Sequence, residues 1–506
     1  MNKFLNGLTD ATNYTVTENG ATTYKSTKSM LLDMFAMGAA YRTRSDEDVI
    51  LLFMNAYKEN PEYALKCLFY IADCRGGQGE RRFFRVCYKW LAKYDIEAAR
   101  RNMKHIPIYR RWDDLYTLVG TPLENEMFEF LKEQLALDIN SKTPSLLAKW
   151  LKSENTSSYK SRTLGNKTRI AFNMSHKQYR KVLSVLRQRI NIVERLMSEN
   201  RWAEIEFDKI PSRAGMIYKN AFAKHDLERA KADTRTYEDF IKDETTKVNA
   251  KTLYPYECVA AALKDWHDLP IDSTERAAIN KYWDNLEDYF KEAVFNGMAV
   301  VDTSGSMTGY EASAPINVAI SLGMYCAEKA KGPYNGHFIT FSSNPSFVKV
   351  EGVDFYDKAR RVLNADWGGS TNIEATFDLM LNTAIENKCT QDEIPQNLII
   401  ISDMEFDSCA TSGPVSSNRW YGGRIANKET LFETIRNKWA SYGYKMPKLT
   451  FWNVEARQNN IPMQDDGNVR YVSGMSPVIF EQIMKNLGAY DLMMDKLNSD
   501  RYAIIG

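Results

Sequence analysis

The sequence predicts two architectures in one chain: a helical half to about residue 290, then an α/β half built on a mostly parallel, doubly wound sheet. Three observations carry this. Apolar residues recur at helical spacing through the first 290 positions. Beyond Gly297, short continuous apolar runs alternate with helical stretches. At 506 residues the chain also exceeds what one ordinary core holds. The expected division is therefore 1–290 and 291–506.

In the helical half, Val49, Leu52, Phe53 and Ala56 mark a helix over Asp46–Lys58 that stops before Asn60-Pro61. Pro61 suits a first helical turn, and Ala64, Leu65, Leu68, Phe69 and Ala72 continue the pattern. Gly76-Gly77 breaks it, and Phe83, Phe84, Cys87 and Leu91 place the next helix over Glu80–Lys93. Glu124–Leu137 and Gln178–Met197 repeat the theme, whereas polar Thr156–Lys167 reads as an exposed loop. Short connections imply antiparallel helix pairs, the HEAT-like arrangement of α-solenoids, although no sequence repeat is visible. In the second half the expected strands are Met298–Val301, His337–Phe341, Leu398–Ile401, Leu449–Val454 and Val469–Val472. The intervening helices are Ile316–Lys331, Ile373–Glu386, Lys428–Trp439 and Val478–Met484.

Composition narrows the class. Hydrophobic residues at 44% and charged residues at 26% are those of a globular protein. No apolar run reaches the length of a membrane span, and the first residues lack the apolar middle of a secretory signal. Seven scattered cysteines without a CxxC pair fit buried thiols in a reducing compartment, which predicts a cytoplasmic protein. The net charge of +1 hides an asymmetry: Ser141–Arg195 holds thirteen Lys and Arg against Glu154 and Glu194, a local balance of +11. Such a segment points to a polyanionic partner.

Asp302-Thr303-Ser304-Gly305-Ser306 follows the first strand directly, and Asp403 follows the buried run Leu398–Ser402. Thr371 lies in Trp367-Gly368-Gly369-Ser370-Thr371-Asn372, just before a helix. In open α/β sheets ligands bind outside the carboxyl ends of strands. Five hard oxygen donors suit Mg²⁺ or another hard divalent cation, and suit zinc or copper poorly. Asp302-x-Ser304-x-Ser306, Thr371 and Asp403 resemble the metal-ion-dependent adhesion site of von Willebrand factor A domains. That resemblance implies a Mg²⁺ whose open coordination position accepts an acidic side chain from a partner protein.

The whole chain resembles the Ro/TROVE superfamily, and more closely its uncharacterised bacterial and phage relatives. The likeness rests on Ser175–Leu183 (SHKQYRKVL), on Pro211-Ser212-Arg213-Ala214 and on Val248–Pro255 (VNAKTLYP). It implies a HEAT-like ring that binds RNA. The residues themselves point the same way. Ser175 caps a helix that presents Lys177, Arg180, Lys181 and position 184 on one face, with Val182, Leu183, Val185 and Leu186 inward. Lys160, Lys167, Arg169 and His176 complete the candidate RNA-binding set, and Tyr159, Phe172 and Tyr179 are candidate stacking aromatics, with the core as their other role. Trp112-Asp113-Asp114 reads as dipole-serving acids at a helix start. Gly76-Gly77-Gln78-Gly79 reads as a turn flanked by Arg75, Arg81 and Arg82 as candidate phosphate contacts.

The function expected is therefore a Ro-like, non-enzymatic RNA scaffold that also holds a protein partner through a divalent cation. The other reading is a protein-interaction module without RNA. A metal-dependent hydrolase is disfavoured, because His337 starts a strand while the proposed ligands end strands.

Overall fold

The computed structural model describes residues 12–263, 271–291, 293–309, 311–341, 344–363, 370–408 and 429–506. An antiparallel hairpin that the helical pattern does not announce comes first: β1 (Tyr14–Val16) and β2 (Thr22–Tyr24). The principal helices of the first half are α1 (Met30–Met37), α2 (Asp46–Glu59), α3 (Pro61–Ala72), α4 (Arg81–Tyr94), α5 (Ile96–Met103), α6 (Glu124–Asn140), α7 (Tyr159–Ala171), α8 (His176–Arg189) and α9 (Val193–Ser198). They are followed by α10 (Ser212–Lys224), α11 (Pro255–Leu263) and α12 (Ser273–Asp284).

Local chemistry sets their limits. Ser45, Asn60 and Glu80 cap α2, α3 and α4 by accepting from backbone N–H groups of the first turn, and Pro61 occupies the first turn of α3. The structure departs from the sequence pattern at three places. The segment 156–167 is not a loop throughout: Ser158 caps α7, which buries Gly165 and Thr168 against the chain at Lys152-Ser153. The helix expected over 178–197 is broken, because Asn191 adopts a left-handed conformation (φ 47°) after α8 and α9 restarts at Val193. Val185 also differs from expectation, being 46% exposed on the outer side of α8.

In the second half the apolar runs become one sheet: β3 (Gly297–Asp302), β4 (His337–Phe341), β5 (Ser346–Lys349), β6 (Asn397–Ser402), β7 (Lys448–Asn453) and β8 (Val469–Ser473). Its order is β5-β4-β3-β6-β7-β8, parallel except for the edge strand β5. The unforeseen β5 buries Val348 alone, between exposed Phe347 and Lys349, and has no continuous apolar run. Helices α13 (Pro315–Lys329), α14 (Phe355–Leu363), α15 (Ile373–Glu386), α16 (Leu431–Ser441), α17 (Ile479–Ile483) and α18 (Ala489–Leu497) flank it.

Alternation along the strands sorts the core into two layers. Met298, Val300, Leu398, Ile400, Leu449 and Phe451 join one apolar cluster with α1 to α8, α15 and α16. Ala299, Val301, Ile399, Ile401 and Trp452 join the other with α10 to α14. Each large side chain so buried contributes about 1.5–3 kcal/mol, so both faces are strongly held. The pattern change near 290 is a change of secondary structure, and both cores cross it.

The Gly76–Gly79 turn serves this packing. A Cβ at Gly77 would fall 2.0 Å from the Tyr70 carbonyl oxygen, and Gly79 (φ 72°) lies under the Tyr254 hydroxyl. Gln78 between them is buried and donates to Ser473 Oγ at 3.3 Å. Among the described residues no helix is long and apolar enough to cross a membrane. Cys67, Cys74, Cys87, Cys258, Cys326 and Cys389 are free thiols.

Candidate metal centre

The chain leaves β3 for β4 on one side and later returns as β6 on the other, so the sheet order reverses between β3 and β6. The crevice outside the carboxyl ends of those two strands is where open α/β sheets take ligands. Asp302 ends β3, and Asp403 follows Ser402, the last residue of β6. Parallel register pairs Val301 with Ile401, which sets Asp302 beside Ser402.

Asp302 Oδ1 accepts from the Ser304 N–H at 2.9 Å, and its Oδ2 accepts from Ser402 Oγ at 2.5 Å. Ser304 Oγ lies 3.0 Å from Ser306 Oγ, and Asp403 Oδ1 accepts from the Glu405 N–H at 3.2 Å. Asp302, Ser304, Thr371 and Asp403 are all at most 2% exposed. The chain turns away from Asp403 through Met404, whose φ of 65° is rare for a residue with a side chain and is stabilised by the Met404 N–H bond to Ser402 Oγ at 2.9 Å.

Thr371 reaches the same rim by a different route. Its N–H donates to Asp407 Oδ2 at 3.0 Å, and its carbonyl accepts from the Asp407 N–H at 3.1 Å. Residues 367–369 of the glycine-bearing loop lie outside the described residues. The hairpin turn between β1 and β2 supplies a clamp: Asn19 Nδ2 donates to Thr371 Oγ1 at 3.2 Å and to the Glu405 carbonyl at 2.6 Å. The Glu18 N–H donates to Glu405 Oε2 at 2.7 Å, and Thr17 Oγ1 donates to the Phe406 carbonyl at 2.6 Å. Arg457, beyond the end of β7, donates to the Ser306 carbonyl and brings Nε to 3.5 Å from Asp403 Oδ2.

The electrostatics of this rim are unbalanced. Burial, followed by the charge of Asp403, pushes the Asp302 carboxyl up to about 7. Burial raises Asp403 and Asp407, and pushes Glu405 up to about 7. Against these four acids stands the Arg457 guanidinium, which is 37% exposed and lies too far for a hydrogen bond to Asp403. Asp403 Oδ2 is buried without a hydrogen-bond partner. A buried carboxylate is costly unless paired. Two carboxylates and three hydroxyls (Asp302, Asp403, Ser304, Ser306, Thr371) are a donor set that fits a hard divalent cation. No group of three or more His, Cys, Asp or Glu suited to a metal occurs among the described residues, so this set depends on its hydroxyls.

Sequence reasoning missed Asn19, Ser402, Glu405, Asp407 and Arg457. Ser402 and Glu405 flank Asp403 and were within reach of a strand-end argument. Asn19 and Arg457 come from segments whose proximity only the tertiary fold creates.

The candidate RNA-binding residues divide into two groups. Arg169 Nε and His176 Nδ1 both meet Glu154 Oε1, at 2.7 and 3.0 Å, and Lys167 Nζ meets Glu124 at 2.7 Å. Lys160, Lys177, Arg180 and Lys181 are exposed and make no ion pair with a described residue, although Arg180 Nε donates to the His176 carbonyl at 3.3 Å. Tyr179 and Phe172 are core residues, 0% and 4% exposed, and contact each other edge-on. Tyr159 is 78% exposed. Asp113 and Asp114 do more than serve a helix dipole: Arg81, Arg85, Arg110, Arg111 and Lys152 all pair with them.

Comparison with known proteins gives matches along most of the chain. Residues 296–501 match the family described as Domain of unknown function (DUF7788). The chain is 31% identical over 517 aligned residues to Uncharacterized protein L728 of Acanthamoeba polyphaga mimivirus, covering 93% of this chain and 85% of that protein. Residues 17–127 and 133–294, more than half of the chain, match the family described as Domain of unknown function (DUF2828), and the chain belongs to that family.

Proposed function

We propose that this protein is a Ro-like, non-catalytic ribonucleoprotein scaffold. Its first half is read as a HEAT-like, TROVE-like region that holds structured or single-stranded RNA. Its second half is read as a von Willebrand factor A-like domain that binds Mg²⁺ or another hard divalent cation. Asp302, Ser304, Ser306, Thr371 and Asp403 would hold the ion. When bound, it would supply a coordination position for an acidic side chain of a protein partner. The observation that supports this most is the buried pair Asp302 and Asp403 at the switch point, with one carboxylate oxygen that accepts no hydrogen bond. His337 supports a non-catalytic reading: it starts β4 at the opposite end of the sheet and bonds the Asn335 carbonyl.

The Asn19 clamp gives a graded test. Asn19→Ala removes two hydrogen bonds that fix Thr371 and the 403–407 turn. Each such bond contributes about 1 kcal/mol, so calorimetric titration should show Mg²⁺ affinity reduced between about fivefold, if one bond counts, and about thirtyfold, if both do, with unchanged circular dichroism. Unaltered affinity would remove Thr371 from the ligand set.

The RNA reading is supported by the local charge of 141–195 and by the exposed cations of α8. Lys177→Ala/Arg180→Ala/Lys181→Ala should weaken RNA binding. It should also flatten the logarithmic salt dependence by about 2, at roughly 0.7 for each single-strand phosphate no longer neutralised. Equal affinity and equal salt slope would exclude α8. The pairing of Arg169, His176 and Lys167 with carboxylates favours a second reading, in which the protein acts through the metal rim without RNA. Purified protein free of nucleic acid, with partner capture abolished in Asp302→Ala, would support it.

A further inference from the structure

We propose that the cleft between α4 and α7 binds the phosphate backbone of a single-stranded nucleic acid. This rests on the RNA reading but not on the α8 patch. Arg81, Arg85, Lys89 and Lys93 recur every four residues along α4, so their side chains form one stripe about 18 Å long at 1.5 Å per residue. They line a cavity of about 760 Å³, with Lys152 and Lys160 across it.

The floor of this cleft is a fixed cationic frame. Asp113 and Asp114, 5% and 0% exposed, are its anchors. Arg81 Nη2 lies 2.8 Å from Asp113, Arg85 Nε 2.6 Å from Asp114 and Lys152 Nζ 3.1 Å from Asp113. Arg110 and Arg111 add two further cations to the same carboxylates. Five cations on two carboxylates leave three positive charges uncompensated. The side chains of Arg81, Arg85 and Lys152 are 29%, 37% and 25% exposed, so the frame is open to a ligand. Lys89, Lys93 and Lys160 at the lips are exposed and pair with no described acid, while Asp46, the other acid lining the cleft, is taken by Arg82.

The length of the stripe argues for a chain of phosphates. A free phosphate or one nucleotide needs only one or two of these cations. Trp90, half-buried, also lines the cleft, stacked on Tyr94 at 4.4 Å and set edge-on to Phe53 and Tyr57, and adds an aromatic side chain of the kind on which single-stranded bases stack. A stripe of cations beside an aromatic platform is the combination by which strands are held without base preference.

The test is fluorescence anisotropy of labelled oligouridine on the full-length protein and on Lys89→Ala/Lys93→Ala/Lys160→Ala. These three side chains support nothing else, so the variant should melt like the parent. Affinity should fall at least tenfold, and the logarithmic salt slope should be shallower by about 2, while the triple arginine variant at the same positions keeps binding. Unchanged affinity, with weakening in the α8 variant instead, would overturn the cleft and leave the RNA reading standing. A parent protein that binds no oligouridine would overturn both. Displacement of the strand by inorganic phosphate or ATP as readily as by unlabelled strand would reassign the cleft to a small phosphate ligand. Equal displacement by polyglutamate would reassign it to an acidic polypeptide.

Discussion

Asp302→Asn is expected to abolish the proposed divalent-cation binding while leaving the fold in place. Asp302 is fully buried at the end of the central strand, and its two oxygens accept one backbone N–H and one hydroxyl. Asparagine keeps the size and one acceptor, and Ser402 Oγ can rotate to accept from the new amide. What disappears is the negative charge that a hard cation requires. A ligand that binds only the folded state stabilises it by about 2.7 kcal/mol at a hundredfold excess over its dissociation constant. The parent protein should show that increment on addition of Mg²⁺, and Asp302→Asn should show none. Metal-free stability should stay within about 1 kcal/mol of the parent, because the variant loses a buried charge along with part of a hydrogen bond. Equal Mg²⁺ stabilisation of both proteins would remove Asp302 from the site.

Asp114→Ala is the second large effect, and it falls on stability. Asp114 has no solvent exposure and holds Arg81 at 2.8 Å, Arg85 at 2.6 Å and Arg110 at 3.3 Å. Arg110 is itself 5% exposed and uses its remaining donors on the Ala72 and Gly79 carbonyls. Truncating Asp114 strands a buried guanidinium and concentrates like charge around Asp113. Breaking a buried pair in this way costs about 3–5 kcal/mol, to be read as a lowered urea midpoint. The exposed Lys89, Lys93 and Lys160 should each cost below about 0.5 kcal/mol. If Asp114→Ala were as mild as these, the cluster would be a surface feature and not a frame.

Strand positions were the most legible part of the fold. Continuous apolar runs such as Leu398–Ile401 and Leu449–Val454 belong to strands buried on both faces, and β4 matches its expected range. β1, β2 and β5 were not legible, because three or four residues of mixed polarity carry no period. The broken helix after α8 ends at Asn191, a residue type that tolerates positive φ, but the apolar spacing running across it hid that signal. In the site, Asp302 and Asp403 were legible because each ends an apolar run. Asn19 and Arg457 were not: hydrogen bonds from residue 19 to residues 371 and 405 follow from tertiary packing that no local pattern encodes. The basic segment was legible as charge, but not its pairing. Glu154 and Glu124 take up Arg169, His176 and Lys167, whereas the stripe on α4 lay outside the segment that composition singled out.

Anomalous diffraction from crystals grown with Mn²⁺ decides whether the proposed hard-cation site lies in the switch-point crevice. One strong peak is expected there, in contact with side-chain oxygens of Asp302, Ser304, Ser306, Thr371 and Asp403. A crevice without a peak at saturating Mn²⁺, or a peak on other residues, would rule the site out.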